Sequence, residues 1–189
     1  MSKNRKSGDS ERHGIDKSWH LACTPLEINV AEMEFALMRA FEAFGRWQAE
    51  CLGSVIELAA SGPENAMLHI IRMNERPKSI KDLARLSNRE DIPNMQYSLR
   101  KLIGAGLVEK TGSGRSGVSY TVTEKGKEVT DRYAEVRRSL LSNAIGSIHN
   151  LHHGLEEATR TLDLMTGIYE HAALSAATHR RLPKVPIKE

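Results

Sequence analysis

The side chains best suited to do chemistry lie in one short stretch, where polar residues recur at helical spacing. Asn94, Tyr97 and Lys101 are three and four residues apart, and Gln96 and Arg100 form the neighbouring stripe of the same predicted helix. The amides of Asn and Gln can pair with adenine, and Arg or Lys can pair with guanine. This stretch could therefore read base edges in a groove of DNA, and a solvated polar helix face is the alternative interpretation.

Basic residues are concentrated around this stretch. The formal net charge of the whole chain is only +3, but residues 76–127 contain 11 Lys and Arg against 5 Asp and Glu. Such a local excess is typical of a module that displaces counterions from phosphates, although a solvated basic face would have the same composition. We expect phosphate contacts from Arg85, Arg89 and Lys110, and Arg115 is expected to hold a phosphate or enter the minor groove.

A glycine-rich segment over residues 112–117 matches the pattern G-x-G-x-x-G. In a dinucleotide site, this loop is followed directly by a helix whose N-terminus receives the pyrophosphate. Here a strand is predicted to follow, so we interpret the glycines as the flexible tip of a hairpin. The sequence also lacks a G-x-S-x-G elbow, a P-loop and an H-E-x-x-H motif. We therefore expect neither catalysis nor a cofactor.

The cysteines and one group of histidines do not predict a metal site. Cys23 and Cys51 have no partner at metal-ligand spacing, and His149, His152 and His153 have no nearby cysteine or clear carboxylate set. Spacings of three and four would still allow two of these histidines to share one helical face. Cys51 lies on an apolar stripe and is interpreted as an inert buried thiol, while a redox-sensing role for either cysteine stays open.

The composition indicates that these side chains belong to a folded domain. Of the 189 residues, 40% are apolar and 27% are charged, which is sufficient for one domain with an extension. No run of consecutive apolar residues reaches the length of about eighteen that a membrane-spanning helix requires. Residues 1–17 also lack the apolar stretch of a secretory signal. We expect a cytoplasmic protein that does not contact a membrane.

The polar stretch is predicted to be the second of two short helices joined by a tight turn. Ser79 and Asp82 form a capping box that begins the first of them. Residues 88–91 supply the turn, and Asp91 is expected to cap the second helix, predicted over residues 92–105. Its inner face is predicted to consist of Met95, Leu99, Leu102 and Ile103.

Longer helices are predicted on either side. Thr24 and Glu27 form a capping box before a helix whose apolar stripe runs from Leu26 to Val55. A second apolar stripe runs from Val129 to Tyr169, with a break predicted within residues 143–154. Both stripes are longer than a small core requires, which favours an interface between two copies of the chain.

Two strands complete the predicted elements, at residues 107–111 and 118–122. The motifs at the ends of this hairpin resemble those of one family. The run from Leu102 through Gly106-Leu107-Val108-Glu109-Lys110 is similar to the leucine, Gly-Leu-Val and basic strand of MarR family winged-helix transcription regulators. Val122-Thr123-Glu124-Lys125-Gly126 is similar to the Leu-Thr-x-x-Gly that follows the wing in that family. Where the family's wing has Asp-x-Arg, this sequence has Ser113-Gly114-Arg115.

The resemblance implies a mainly α-helical fold with a small β-hairpin wing, a winged helix-turn-helix flanked by long dimerisation helices. The predicted segments are a disordered tail (1–20), a dimerisation helix (21–62), the DNA-binding domain (63–126), C-terminal dimerisation helices (127–178) and a flexible tail (179–189).

The implied function is that of a sequence-specific regulator of transcription, a repressor that binds double-stranded DNA as a homodimer on a pseudo-palindromic operator. A small aromatic or amphipathic effector is expected to release it, from a crevice between the first helix and the winged domain. This crevice is expected to be lined by Phe41, Phe44, Trp47, Met67 and Ile71. The alternative function is a helical protein-interaction module that uses a winged helix without specific DNA binding.

Overall fold

The structure is a computed structural model that describes residues 20–59, 61–112 and 117–179. It divides into two units, Met1–Ala134 and Glu135–Glu189, each considered by itself below. The predictions for most of the two tails and for Arg115 lie outside the described residues. Within the described residues, no helix has the length and apolar character needed to cross a membrane.

The first helix, α1 (Pro25–Gly53), begins with the predicted capping box. The Thr24 hydroxyl accepts a hydrogen bond from the Glu27 backbone N–H at 3.2 Å, and the Glu27 carboxylate accepts one from the Thr24 N–H at 2.7 Å. The predicted stripe is buried only around its end, at Cys51 and at Val55, which follows the helix. The side chains of the stripe that stay exposed are Leu26, Val30, Leu37, Phe41 and Phe44.

The second helix, α2 (Gly62–Arg72), lies at the centre of the core and is followed by a 3₁₀ turn (Met73–Glu75) and a short strand, β1 (Lys78–Ser79). Lys78 is only 4% exposed. Its ammonium donates to the carbonyls of Ile71 at 3.0 Å and Arg76 at 3.1 Å, and also to that of Met73. Since the carbonyl end of a helix carries a partial negative charge, this buried cation caps the end of α2.

The predicted helix pair is formed by α3 (Ile80–Ser87) and α4 (Ile92–Gly104). The capping box of α3 is present, with the Asp82 carboxylate accepting from the Ser79 N–H at 3.0 Å. Asn88 ends α3 in the left-handed conformation, with φ of 51°, which an Asn tolerates better than most residues. The chain therefore turns sharply, and α4 buries Met95, Leu99 and Leu102 as predicted, while Ile103, the fourth residue of the predicted inner face, is only half-buried.

The wing is a three-stranded antiparallel sheet in the order β1-β3-β2, with β2 at Val108–Thr111 and β3 at Ser119–Val122. The two hairpin strands were predicted to within one residue. The prediction omitted β1, which pairs Lys78 with Tyr120 and Ser79 with Ser119. A strand of two residues is too short to show a period of two, so the sequence pattern could not reveal it.

The helix after the wing, α5 (Glu124–Arg137), is joined to the sheet through Thr123. The Thr123 hydroxyl accepts from the Gly126 N–H at 3.0 Å and donates to the Gly106 carbonyl at 2.7 Å. The Thr123 N–H donates to the Leu107 carbonyl at 3.1 Å. One threonine thus caps α5 and also fixes the segment that connects α4 to β2.

The second unit contains a π-helical turn (Arg138–Ser142) and the helices α6 (Asn143–Gly146) and α7 (Leu151–Thr178). The predicted break is therefore present, with Asn150 in the left-handed conformation before α7. Much of the apolar surface of α7 is exposed, at Leu155, Leu162, Leu164, Ile168 and Leu174.

We expect Gly126→Ala to destabilise the winged domain, because a Cβ at this position would lie 2.2 Å from the Leu107 carbonyl oxygen and 2.6 Å from a Val122 methyl group. The expected loss in the free energy of unfolding is about 1–3 kcal/mol, as for other overpacked sites. Urea unfolding measures it. The control is Gly104→Ala, since a Cβ there meets nothing within 4 Å. Equal stability of the two variants would contradict the close approach of α5 to the wing.

Candidate nucleic-acid interface

The recognition helix of the predicted DNA-binding module, α4, has two distinct faces. Met95, Ser98, Leu99 and Leu102 are buried against the core. The predicted base-reading residues Asn94, Gln96, Tyr97 and Arg100 are exposed, and Tyr97 has 58% of its surface accessible. The structure therefore presents these four polar side chains together on one exposed part of a helix whose opposite face is fixed in the core.

Lys101 differs from the other predicted base contacts. Its ammonium lies 3.8 Å from the Glu64 carboxylate, and its side chain is 29% exposed. At helical periodicity it lies at the border of the buried face, next to Ser98, and not in the middle of the exposed face. Its role as a base contact stays a prediction, and it requires that Lys101 leave a buried carboxylate.

Glu64 is the centre of a buried polar cluster that sequence reasoning missed. Its carboxylate accepts hydrogen bonds from the Ser61 N–H at 2.8 Å, from the Ser61 hydroxyl, and from the Ser98 hydroxyl at 2.9 Å. Burial raises the pKa of Glu64, but the bonds from Ser61 and Ser98 and the charge of Lys101 outweigh burial and hold the pKa below its ordinary value. Glu64 is therefore ionised, and it connects the start of α2 to α4.

The sequence contained a partial signal for this cluster. The run Ser61-Gly62-Pro63-Glu64 is typical of a helix start, with Glu64 as the third residue after the cap. The spacing of Ser98 and Lys101 places both on one side of α4. What the sequence could not show is that these two elements pack against each other, because that is a tertiary contact between residues 34 positions apart.

The turn before α4 positions two further predicted contacts. Arg89 donates from Nε to one Asp91 oxygen at 2.7 Å and from a terminal nitrogen to the other at 2.5 Å. The Asn94 amide donates to Asp91 at 3.3 Å. The hydrogen bond from Arg89 is the main cause that lowers the pKa of Asp91 to about 2. Asp91 occupies the N-cap position as predicted, but its side chain makes no capping hydrogen bond.

The remaining predicted phosphate contacts lie on other elements. Arg85 is on α3, with its side chain 79% exposed and 3.4 Å from the Asp82 carboxylate. Lys110 is exposed on β2, opposite Tyr120 of β3. An ion pair that is this exposed contributes little to stability, so Arg85 can exchange Asp82 for a phosphate at small cost. Arg115 lies outside the described residues.

The five residues of the predicted effector crevice are in different environments. Phe41 and Phe44 are exposed on α1, and Trp47 is half-buried. Met67 and Ile71 are each only 1% exposed, in the core of the winged domain. In this conformation these two side chains have no surface to offer to a ligand, so the crevice stays a prediction that requires α1 and α2 to separate.

No group of three or more His, Cys, Asp or Glu within the described residues is arranged to hold a metal ion. The side chains of His152 and His153 lie outside the described part of the chain. Cys51 is buried, as predicted for an inert thiol, with its sulfur 3.9 Å from the Tyr133 carbonyl, whereas Cys23 is exposed.

Comparison with known proteins agrees with this geometry. Residues 61–126 match the family model described as a winged helix DNA-binding domain. No curated protein matches the chain in sequence.

Solved structures share the fold. The transcriptional regulator BldR from Sulfolobus solfataricus is 20% identical, with a TM-score of 0.59 over 74% of this chain and 98% of its own. Sco5413, a MarR family transcriptional regulator from Streptomyces coelicolor, is 16% identical, with a TM-score of 0.58 over 75% and 97%. The regulator MosR of Mycobacterium tuberculosis, in complex with DNA, is 14% identical, with a TM-score of 0.55 over 71% and 96%. The resemblance to the MarR family is thereby confirmed at the level of the fold.

We expect Glu64→Gln to destabilise the protein by about 2 kcal/mol at neutral pH, because hydrogen bonds to a charged group are lost. The pKa of Glu64 in the folded chain lies below its ordinary value of 4.5. Its contribution is therefore complete above pH 4.5 and is lost as the pH falls through the lower folded-state value. The difference between wild type and variant should shrink in acid.

Urea unfolding at neutral pH and well below pH 4.5 measures this difference. Glu109→Gln, on the exposed strand β2, is the matched control and should change stability little at either pH. A difference between wild type and Glu64→Gln that does not depend on pH would contradict the ionised, hydrogen-bonded state of Glu64.

Proposed function

We propose that this chain, which has a winged helix DNA-binding domain and the fold of MarR family regulators, is a sequence-specific regulator of transcription that binds double-stranded DNA. In this proposal the DNA-binding domain spans residues 63–126, between dimerisation helices at 21–62 and 127–178. The protein is a repressor and acts as a homodimer on a pseudo-palindromic operator. The proposal assigns it no catalytic step and no cofactor.

The observation that carries the proposal is the exposed polar face of α4. The exposed face of this helix carries Gln96, Tyr97 and Arg100. Its opposite face is packed into the core through Met95, Leu99 and Leu102. A helix held in this way can enter a major groove without losing its own packing. Basic side chains on α3 and β2 flank it, at Arg85 and Lys110, where they can contact the phosphates on either side.

The homodimer is supported by the exposed apolar stripe of α1. Phe41 and Phe44 have 71% and 55% of their surfaces accessible, and Leu26 has 72%. Large apolar side chains in one contiguous row indicate a surface that another protein covers. A second copy of the chain carries the same row of side chains. Two copies can therefore bury their rows against each other in a two-fold arrangement.

The proposal also includes regulation of DNA binding by a small-molecule effector. A small aromatic or amphipathic molecule that binds only one separation of the two recognition helices shifts the dimer towards that separation. DNA must then weaken the binding of this ligand by the factor by which the ligand weakens DNA binding, because coupling is reciprocal. A ligand found by thermal shift that binds free and DNA-bound protein equally would exclude this form of regulation.

We expect Arg100→Ala to reduce preference at one base pair by about 1–3 kcal/mol, because base contacts specify sequence. Lys110→Ala should weaken binding to all duplexes to a similar degree, because phosphate contacts only position the protein. The measurement is the affinity for a selected duplex and for random duplexes over a series of salt concentrations. Arg100→Ala should therefore change the ratio of the two affinities, whereas Lys110→Ala should lower both affinities and leave their ratio unchanged.

The same titration separates the proposal from its alternative. A module that uses its winged helix to hold a protein partner would show no steep loss of duplex binding with salt, whereas neutralised phosphates impose one. Absence of salt-dependent duplex binding by the wild type would exclude the proposed function. Equal base preference in wild type and Arg100→Ala would remove only this residue from the reading face.

We expect the double variant Phe41→Asp, Phe44→Asp to be a folded monomer. Both side chains are exposed in the single chain, so its core does not depend on them. If each symmetry-related pair of these side chains, one from each copy, contributes about 2 kcal/mol to the interface, the dissociation constant of the dimer should rise about a thousandfold. Sedimentation measures the association and circular dichroism checks the fold. A wild-type protein that sediments as a folded monomer at micromolar concentration would exclude the dimer.

A further inference from the structure

The turn before the recognition helix contains a carboxylate that holds two side chains predicted to contact DNA. Asp91 accepts a forked pair of hydrogen bonds from Arg89, at 2.7 and 2.5 Å, and one from the Asn94 amide at 3.3 Å. Arg89 lies on the turn and Asn94 in the first turn of α4. One acidic residue therefore determines where a predicted phosphate contact and a predicted base contact point.

This carboxylate is not used to cap the helix. An aspartate at the N-cap position usually accepts from the backbone N–H of the second or third helical residue. Asp91, with φ of −81° and ψ of 63°, makes no such bond, and the side chains of Arg89 and Asn94 are its partners instead. A capping hydrogen bond therefore does not account for the aspartate here, although its charge still favours the start of the helix.

An ionised carboxylate can only accept hydrogen bonds, which fixes the orientation of the neighbouring amide. Asn94 must turn its NH₂ group towards Asp91, so its carbonyl oxygen and one remaining N–H are left for a ligand. Adenine offers an N6 donor and an N7 acceptor in the major groove, which match an amide oxygen and an amide N–H. The Asn94 amide therefore has the orientation that pairing with adenine requires, even in the absence of DNA.

The same carboxylate restrains Arg89. The backbone of Arg89 is fixed by a hydrogen bond from its N–H to the Ala84 carbonyl at 3.0 Å. Its side chain is 24% exposed, and both oxygens of Asp91 engage the guanidinium. A planar fork of this kind is the strongest form of an arginine–carboxylate contact. It uses two of the five N–H donors of the guanidinium and compensates its charge, so a phosphate must compete with Asp91 for Arg89.

We propose that Asp91 is a specificity-determining positioning residue of the DNA interface. It orients the Asn94 amide for an adenine edge, and its contact with Arg89 competes with phosphates, which lowers the affinity for all duplexes alike. The inference rests on the proposed DNA-binding function and extends it to a residue that does not itself contact a base.

The test is Asp91→Asn, which keeps the shape of the side chain but removes its charge and allows it to donate as well as accept. Binding to random duplexes should become tighter, and the salt dependence should steepen by about one phosphate contact as Arg89 is released. Preference for the selected duplex over random duplexes should fall by about fivefold or more, the lower end of what one bidentate base contact contributes.

A double variant shows whether Asp91 acts through Asn94. Asn94→Ala alone should abolish the preference for adenine at one position of duplexes selected from a randomised pool. If Asp91 acts only by orienting Asn94, adding Asp91→Asn to Asn94→Ala should cause no further loss of preference. A full further loss would overturn the positioning role.

The matched control is Asp131→Asn on α5, which removes the same charge from another exposed arginine–aspartate pair. Its partner Arg72 lies 3.0 Å from Asp131 and also donates to Thr130 at 2.8 Å, so it stays held. The control should leave both preference and salt dependence unchanged. If it matches Asp91→Asn, the effect is one of net charge and the inference is wrong.

The outcomes also separate this inference from the proposed function. A wild-type protein without salt-dependent duplex binding overturns both. Wild-type binding with a base preference that Asp91→Asn leaves intact overturns only the inference.

Discussion

A buried carboxylate is the constraint on which the interface depends. Glu64 is 4% exposed, and a charge in that position is tolerated only if its oxygens are hydrogen-bonded and its charge is compensated. Ser61 meets this need from the start of α2, and Ser98 and Lys101 meet it from α4. Any movement of α4 along or about its axis would break one of these bonds. These contacts therefore favour the observed position of α4 on the core.

The cations of the interface are less available than a count of residues suggests. Among the described residues, three of the predicted cationic DNA contacts have a carboxylate partner: Arg85 with Asp82, Arg89 with Asp91, and Lys101 with Glu64. These pairs differ in the cost of exchange for a phosphate. It is small for the exposed Arg85 and large for Lys101, whose departure leaves a buried charge behind. Electrostatic attraction to DNA is thus graded across the surface, which the net charge of the segment does not reveal.

The sequence predicted the helices, the hairpin and the inner face of α4, because these depend on local signals. The box of Thr24 and Glu27, the box of Ser79 and Asp82 and the spacing of Met95, Leu99 and Leu102 each act within a few residues of the chain. It did not predict the partners of Glu64 or the strand at Lys78, which depend on contacts between distant elements. For Asp91, the sequence placed the residue correctly at the N-cap but assigned its carboxylate to the backbone. The choice between backbone and side-chain donors is made by geometry that residue types do not encode.

The buried ammonium of Lys78 has a consequence for how the domain can be observed. In the folded chain this amine is enclosed by the carbonyls of Ile71, Met73 and Arg76, and 4% of the residue is exposed. An acylating reagent can reach it only when the end of α2 separates from β1, since a local opening must precede the reaction. The rate at which Lys78 is acylated, relative to the exposed Lys110, therefore reports how often the edge of the wing opens. A bound duplex that rigidifies the domain would lower the acylation rate of Lys78 without contacting this lysine.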